Sequence, residues 1–332
     1  MKDTVVSGIR STGFLHLGNY FGAIRNFLKM QHEHNCYFFV ADYHSLTTHP
    51  TPGDLNAGVK QVIAEYLACG LDPEKCTLYV QSDLPQVAEL YLFFNMNAYM
   101  GELERVASFK EKARKNPDNV NAGLLTYPTL MAADILIHHG TKVPVGKDQE
   151  QHLEMTRTFG NRFNRLYNVD YFKEAEAYNF GSELVKVPGL DGSGKMGKSE
   201  GEGNAVFLSD APEVIRKKVM RAVTDSGPTQ MMQEKPEAIK NIFALMELVS
   251  KPDVVQHFNE AYNNMTIRYG DMKKQLAEDM VQFINPIYER IKQIEANHEY
   301  LRKVVETGKE KAHHSANKTM NEVREIIGFK KF

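Results

Sequence analysis

Two lysines three residues apart, Lys195 and Lys198, stand in the stretch LDGSGKMGKSEGEGNA among five glycines. Glycine lets the backbone take positive φ and approach a ligand closely, at an entropic cost. The segment reads either as a basic surface loop or as a clamp for something heavily phosphorylated, and the letters KMGKS alone favour the loop. A second group lies in SGIRSTGFLHLGNYFGA, residues 7–23. Its pattern is a strand, a glycine-containing turn and a helix start, and the free N–H groups of a helix N-terminus suit phosphate. His16 can hydrogen-bond an anionic oxygen there, and Gly18 lets a flat ring lie against backbone. Capping by His16 and simple packing at Gly18 explain the same letters equally well. Neither a Walker A motif nor GxGxxG occurs, so neither a kinase-type phosphate loop nor a nicotinamide cofactor is indicated.

A third group is LLTYPTLMAADILIHHG, residues 124–140. Tyr127, Met131 and Asp134 fall at i, i+4 and i+7 and share one helix face. Asp134 sits amid leucine, isoleucine, methionine and alanine, and a carboxylate in such surroundings needs a partner. An arginine or a backbone N–H in the core would serve; so would the N–H of a ligand. A fourth group, VPVGKDQEQHLEMTR, joins a strand end to a helix start at Gly146–Asp148. Backbone donors and Asp148 could hold a ribose or an ammonium group there, or Asp148 could be a plain helix cap.

These groups need a scaffold. TVVSGI, CYFFVAD, TLYVQS and TKVPVG read as strands, the second apolar enough to be buried on both faces. Between them lie helical patterns: from Leu17, from about Asp54 to a stop at Gly70, from Pro85, and from Asp148. Strand–helix alternation of this kind predicts an α/β, Rossmann-like doubly wound parallel sheet. After the KMGKS loop the strands stop and helical patterns run to the end, with Pro286 expected to kink or end one of them. The division therefore falls near residue 205, giving a catalytic domain over 1–205 and a smaller all-helical domain over 206–332. The last helix is a candidate for packing back on the first domain.

The 332 residues carry 40 basic and 42 acidic side chains, a net charge of −2, which still allows a local basic patch for nucleic acid. No run approaches the roughly 20 apolar residues of a membrane span. Cys36, Cys69 and Cys76 show no metal-binding spacing, so reduced, buried thiols and a cytoplasmic location are expected, with no protein-bound metal site. The histidine pairs at 138–139 and 313–314 read as surface or cap residues.

Taken together, HLGN at 16–19 and KMGKS at 195–199 resemble the HIGH and KMSKS motifs of class I aminoacyl-tRNA synthetases. The stretches SGIRSTGFLHLGNYFGAIRNF, ADYHSLT, GELERVASFKEKA, AGLLTYPTLMAADIL, VPVGKDQEQHLEMTRTFGNRFN and AVTDS are similar to bacterial-type tryptophanyl-tRNA synthetases, in the expected order over most of residues 4–226. The last hundred residues match only in length and helical character.

The resemblance implies ATP at Arg10, Ser11, Thr12, His16, Gly18, Asn19, Gly146, Lys147, Asp148 and Val187, and at the loop residues Lys195, Met196, Gly197, Lys198 and Ser199. It implies L-tryptophan at Asp134, Tyr127, Met131, His44, Val143, Val145 and Gln149, with Asp134 accepting the indole N–H. His16, Asn19, Lys195 and Lys198, with Lys112 beside them, would then act on the phosphates, and Mg²⁺ would accompany ATP. It implies tRNA(Trp) as partner, anticodon recognition by the helical domain, and a homodimer. Three positions depart from the pattern. Gly197 replaces a serine, Arg10-Ser11-Thr12 replaces Gln-Pro-Ser, and Lys147 replaces an acidic residue. Rival readings are a tyrosyl-tRNA synthetase, a non-catalytic paralogue that senses tryptophan or binds RNA, and a small HxGH-type nucleotidyltransferase. A phenol both donates and accepts, whereas indole only donates, and the lone acceptor of MAAD suits indole better.

Overall fold

The computed structural model describes residues 2–11, 13–146, 150–178, 186–192, 194–197 and 203–329. Its sheet contains β1 (Thr4–Arg10), β2 (Asn35–Ala41), β3 (Thr77–Val80), β4 (Lys142–Val143) and β5 (Glu176–Ala177), in the order β3-β2-β1-β4-β5. All four pairings are parallel, with Thr4 opposite Asn35, Arg10 opposite Ala41 and Val5 opposite Lys142. The expected α/β class and doubly wound sheet are therefore present. Side chains alternate across the strands as a period of two requires. Val5, Phe38, Val40, Leu78 and Val80 enter one apolar cluster, while Val6, Phe39, Ala41 and Tyr79 enter the other. The strand expected over TKVPVG is cut to two residues, because Pro144 has no N–H to continue the ladder. β5 was not expected; its two exposed residues leave no apolar run to read.

The helix after β1 changes character along its length. A single α-turn, Leu17–Asn19, opens into a π-helical segment, Tyr20–Ile24, and tightens again over Arg25–Glu33; together these form α1. α2 (Pro52–Cys69) starts two residues before the expected point, because Thr51 Oγ1 accepts from the Asp54 N–H and caps it. Gly70, at φ 110°, ends it as the sequence suggested. α3 (Pro85–Asn97), α4 (Ala107–Lys115), α5 (Tyr127–Leu136) and α6 (Glu150–Tyr167) complete the sheet-bearing half. Phe27, Phe38 and Tyr66 pack on one face of the sheet, and Phe94, Phe159 and Phe172 on the other.

Five more helices follow: α7 (Pro212–Met220), α8 (Glu237–Val249), α9 (Pro252–Asn263), α10 (Tyr269–Ala296) and α11 (His298–Ile327). Pro286 does not end α10, which runs through it for 28 residues. The residue is exposed, so the carbonyl it leaves unpaired one turn back can be met by water. Apolar contacts cross the division between 1–205 and 206–332: Phe21 stacks on Phe283 at 5.3 Å between ring centroids. α11 lies against β3 so closely that a Cβ on Gly308 would come within 1.7 Å of the Leu78 carbonyl oxygen. Ala312, Ala316, Met320 and Val323 carry that contact into the second apolar cluster.

His138 corrects an expectation. It is buried rather than superficial, stacked on Tyr37 at 4.1 Å and bonded to Tyr79 Oη and Ser315 Oγ, each at 3.0 Å. The three cysteines are free and buried, as expected. Burial pushes the Cys36 and Cys76 thiols up to about 12. No described helix is long and apolar enough to cross a membrane.

Candidate active site

Strand order reverses between β1 and β4, and in open parallel sheets ligands bind in the crevice beyond the carboxyl ends at such a point. A cavity of about 310 Å³ opens there. Residues 6–10 of β1 and residues 143–146, from the last residue of β4 onward, form two of its walls, Gly22 and Ala23 of the π-helical turn a third, and Tyr127, Met131, Asp134 and Ile135 of α5 a fourth. The wider π turn presents these two small residues to the cavity, consistent with the habit of π-bulges to occur at functional sites. Of the tryptophan-pocket residues expected from sequence, His44, Tyr127, Met131, Asp134, Val143 and Val145 come together in this one cavity, and so do Arg10 and Gly146 from the ATP set.

Asp134 is 2% exposed. Its Oδ2 lies 2.8 Å from His44 Nε2, and its Oδ1 accepts from Gln81 Nε2 at 2.7 Å. Burial raises its pKa, while the bonds from His44 and Gln81 oppose that rise. An ionised carboxylate has about four lone-pair sites, so two remain for a ligand donor. Gln81 is a site residue that sequence reading did not select. Its Oε1 accepts the Tyr43 N–H at 3.0 Å, which fixes the amide so that its NH₂ faces Asp134. Asp42 Oδ1 accepts from Tyr43 N–H and Ser82 N–H, each at 3.0 Å, locking the same corner. The available signal was a polar residue closing a fully buried strand.

Tyr127 stands between two imidazoles, 4.5 Å from the His44 ring and 5.3 Å from His152, and Lys112 of α4 lies over its face at 4.7 Å. Arg10, the last residue of β1, donates through Nη2 to the His44 carbonyl at 3.0 Å and to Thr47 Oγ1 at 3.2 Å. Burial lowers the pKa of both cations, and Arg10 lowers that of Lys112 further.

The HLGN turn is built separately. His16 is buried at the head of α1, where its N–H donates to Asn19 Oδ1 at 3.0 Å. A Cβ on Gly18 would sit 2.8 Å from the His16 ring, so glycine there leaves room for the imidazole to fold over the helix start. Ser11 is buried too, its Oγ donating to Ser45 Oγ at 2.9 Å. The loop that carries the lysines returns to this turn. The Leu17 N–H donates to the Val206 carbonyl at 3.0 Å, and the Leu208 N–H to the Leu15 carbonyl at 2.8 Å. Met196 is buried near Gly18, and its N–H donates to the Val187 carbonyl at 2.7 Å. Lys195 is exposed. Asn204, also unselected from sequence, holds the loop: its Oδ1 accepts the Gly197 N–H and its Nδ2 donates to Asp191 Oδ1, both at 2.7 Å. Thr12, Lys147, Asp148, Gln149, Lys198 and Ser199 lie outside the described residues. Among the described residues no three histidine, cysteine, aspartate or glutamate side chains are grouped to hold a metal ion.

Comparison with known proteins agrees with this layout. The family described as tRNA synthetases class I (W and Y) matches residues 2–285. A tryptophan–tRNA ligase of Porphyromonas gingivalis is 62% identical over 328 residues, covering 99% of this chain and all of that protein. The crystal structure of tryptophanyl-tRNA synthetase from Campylobacter jejuni, complexed with ADP and tryptophan, superposes with a TM-score of 0.87 at 31% identity, over 98% of this chain and 100% of its own. The synthetase of the same name from Mycoplasma pneumoniae gives a TM-score of 0.84 at 31% identity over 99% of both chains. With a switch-point cavity, a buried acceptor within it and a lysine loop folded back on the HLGN turn, the chain belongs to the class I tRNA synthetases of the tryptophan and tyrosine family.

Proposed function

We propose that the chain is a tryptophan–tRNA ligase: it activates L-tryptophan with ATP, releasing pyrophosphate, and passes the tryptophanyl group from the adenylate to tRNA(Trp). The full-length relative of P. gingivalis bears the name of that activity. The observation that carries the reading is Asp134, an acceptor held by two side-chain donors in an otherwise apolar wall of the cavity. Indole offers one donor and no acceptor, so it meets such a site without leaving a polar group unpaired. Met131, Val143 and Val145 flank the ring, and Tyr127 and Gln149 hold the α-amino group.

The activation step needs positioning and charge stabilisation more than covalent help from the protein. A carboxylate oxygen of tryptophan attacks the α-phosphorus, a new P–O bond forms, and the bond to the β-phosphate oxygen breaks with its electrons leaving on pyrophosphate. Ser11, Thr12, His16, Gly18 and Asn19 receive the nucleotide at the turn and helix start, with Gly146, Lys147 and Asp148 on its ribose and adenine side and Val187 lining the adenine pocket. Lys195 and Lys198 close on the leaving phosphates, where Mg²⁺ arriving with ATP would supply further charge stabilisation. In the second step a ribose hydroxyl of the tRNA 3′ end attacks the acyl carbon and AMP leaves.

The helical segment 206–332 takes the anticodon arm, and the chain works as a homodimer in the cytoplasm. Leu92, Met96, Tyr99 and Met100 support the dimer: they are 47–74% exposed around the end of α3, an apolar patch of the kind that marks a protein contact. The test of the activity is exchange of labelled pyrophosphate into ATP with tryptophan and tyrosine compared. Exchange with tryptophan alone is expected; exchange with tyrosine alone would overturn the indole reading while sparing the nucleotide site.

A further inference from the structure

We propose that Arg10 and Lys112 form an anion site beside Tyr127 that takes the α-carboxylate of the amino acid, a role that rests on the tryptophan reading above. Arg10 spends the two described contacts of its Nη2 on neutral oxygens, the His44 carbonyl and Thr47 Oγ1. Its Nε is buried without an acceptor. Lys112 lies over the Tyr127 ring, and its neighbour Glu111 is committed to Lys115 at 2.8 Å. Among the described residues neither cation forms an ion pair. Both cations are partly out of water, and Arg10 disfavours the charge on Lys112, an arrangement that is costly unless an anion joins them.

The occupied site must therefore carry a negative charge, and the cavity says which. Arg10 and Asp134 line the same 310 Å³ space. They are also coupled through one residue, since His44 bonds Asp134 through its ring and Arg10 through its carbonyl. An amino acid with its indole N–H on Asp134 has its carboxylate as the one anionic group within that small volume. The guanidinium fork matches a carboxylate in geometry as well as charge. Such neutralisation also has a use in the reaction. Two anions, a carboxylate and a triphosphate, must approach to bonding distance, and cations already placed on the first remove much of their repulsion.

The protein contains no tryptophan, so indole emission reports the ligand alone. The experiment measures Kd for L-tryptophan and for its uncharged amide, L-tryptophanamide, on the wild-type chain and on Arg10→Gln and Lys112→Gln. A hydrogen bond to a charged group is worth enough that wild type should prefer tryptophan by roughly 10–100-fold. That preference should shrink to within about threefold in each folded variant, with the affinity for the amide little changed. Arg10 also ties down the His44–Thr47 segment, so if Arg10→Gln fails to fold, Lys112→Gln carries the same comparison. An unchanged preference in the folded variants overturns the proposal. So does an unchanged preference with a raised KM for ATP, which would assign the cations to the phosphates. Failure of the wild-type chain to bind either ligand would overturn the tryptophan reading itself, and this site with it.

Discussion

At the scale of single residues, Asp134 decides what the cavity can select. Both its oxygens already accept from the protein, His44 on one and Gln81 on the other, so a ligand donor adds to a carboxylate whose position is fixed beforehand. Replacing it by asparagine turns one acceptor into an NH₂ group that faces other donors. Asp134→Asn should lower kcat/KM for tryptophan-dependent pyrophosphate exchange by about a hundredfold or more, with the ATP site intact, because a buried charged acceptor has been exchanged for a poorly matched neutral group. Gln81 acts through Asp134 and is a positioning residue. Its bond holds the Asp134 pKa down against the rise caused by burial. Gln81→Met removes that support, so the Asp134 pKa should climb and the pH below which tryptophan binding fades should move upward. Tryptophan Kd measured from pH 5 to 8 checks this; parallel pH profiles for wild type and variant would show that Gln81 merely fills space.

At the scale of elements, the lysine loop depends on one asparagine. Asn204 accepts from the Gly197 N–H, donates to Asp191, and fits against Gly189, where a Cβ would come within 2.0 Å of its amide nitrogen. Asn204→Ala should cost about 1–3 kcal/mol by leaving these buried groups unmet. Its larger effect should be on turnover: kcat for activation falls while tryptophan Kd, measured by ligand fluorescence without ATP, stays near the wild-type value. Asn204 was hidden in the sequence for a physical reason. Its letters, inside EGEGNA, look like solvated loop, and only the folded loop shows the amide turned inward. Gln81 was hidden because its partner lies 53 residues away. The long strands were legible because burial on both faces writes a continuous apolar run, as in CYFFVAD; β5 wrote none. Asp134 was legible as a puzzle, a charge in an apolar helix, and its described partners proved to be an imidazole and an amide rather than an arginine or a backbone N–H. The cavity wall contributed by Tyr20–Ile24 was not legible at all, since a π turn leaves the same apolar spacing as an α-helix over so few residues.

At the scale of the whole molecule, the C-terminal helix α11 is held against the sheet edge at β3, and that contact contains a titratable group. His138, at the end of α5, bonds Tyr79 of β3 and Ser315 of α11, so sheet, helix and C-terminal helix meet at one imidazole. A neutral ring satisfies both contacts, one nitrogen donating and the other accepting; a protonated ring would bring a charge into an apolar cluster. Burial pulls its pKa from the ordinary 6.5 down to about 3. The unfolded chain therefore binds a proton at His138 from pH 6.5 downward, and the folded chain does not until about pH 3. Stability is thus fully present above the unfolded value and is lost as the pH falls through that window, by about 2 kcal/mol between pH 7.5 and 5 from this group alone. Asp3, which Lys142 holds below the ordinary carboxylate range, titrates below this window, so His138 and its neighbour His139, also lowered by burial, should dominate the upper part of the curve. His138→Gln keeps a donor and an acceptor at the same place but cannot titrate. Its stability at pH 7.5 should be lower than wild type through imperfect packing, and its further loss on going to pH 5 should be smaller by about 2 kcal/mol. Urea unfolding of both proteins at the two pH values measures this directly, and equal losses in the two would mean that the imidazole already accepts a proton in the folded state.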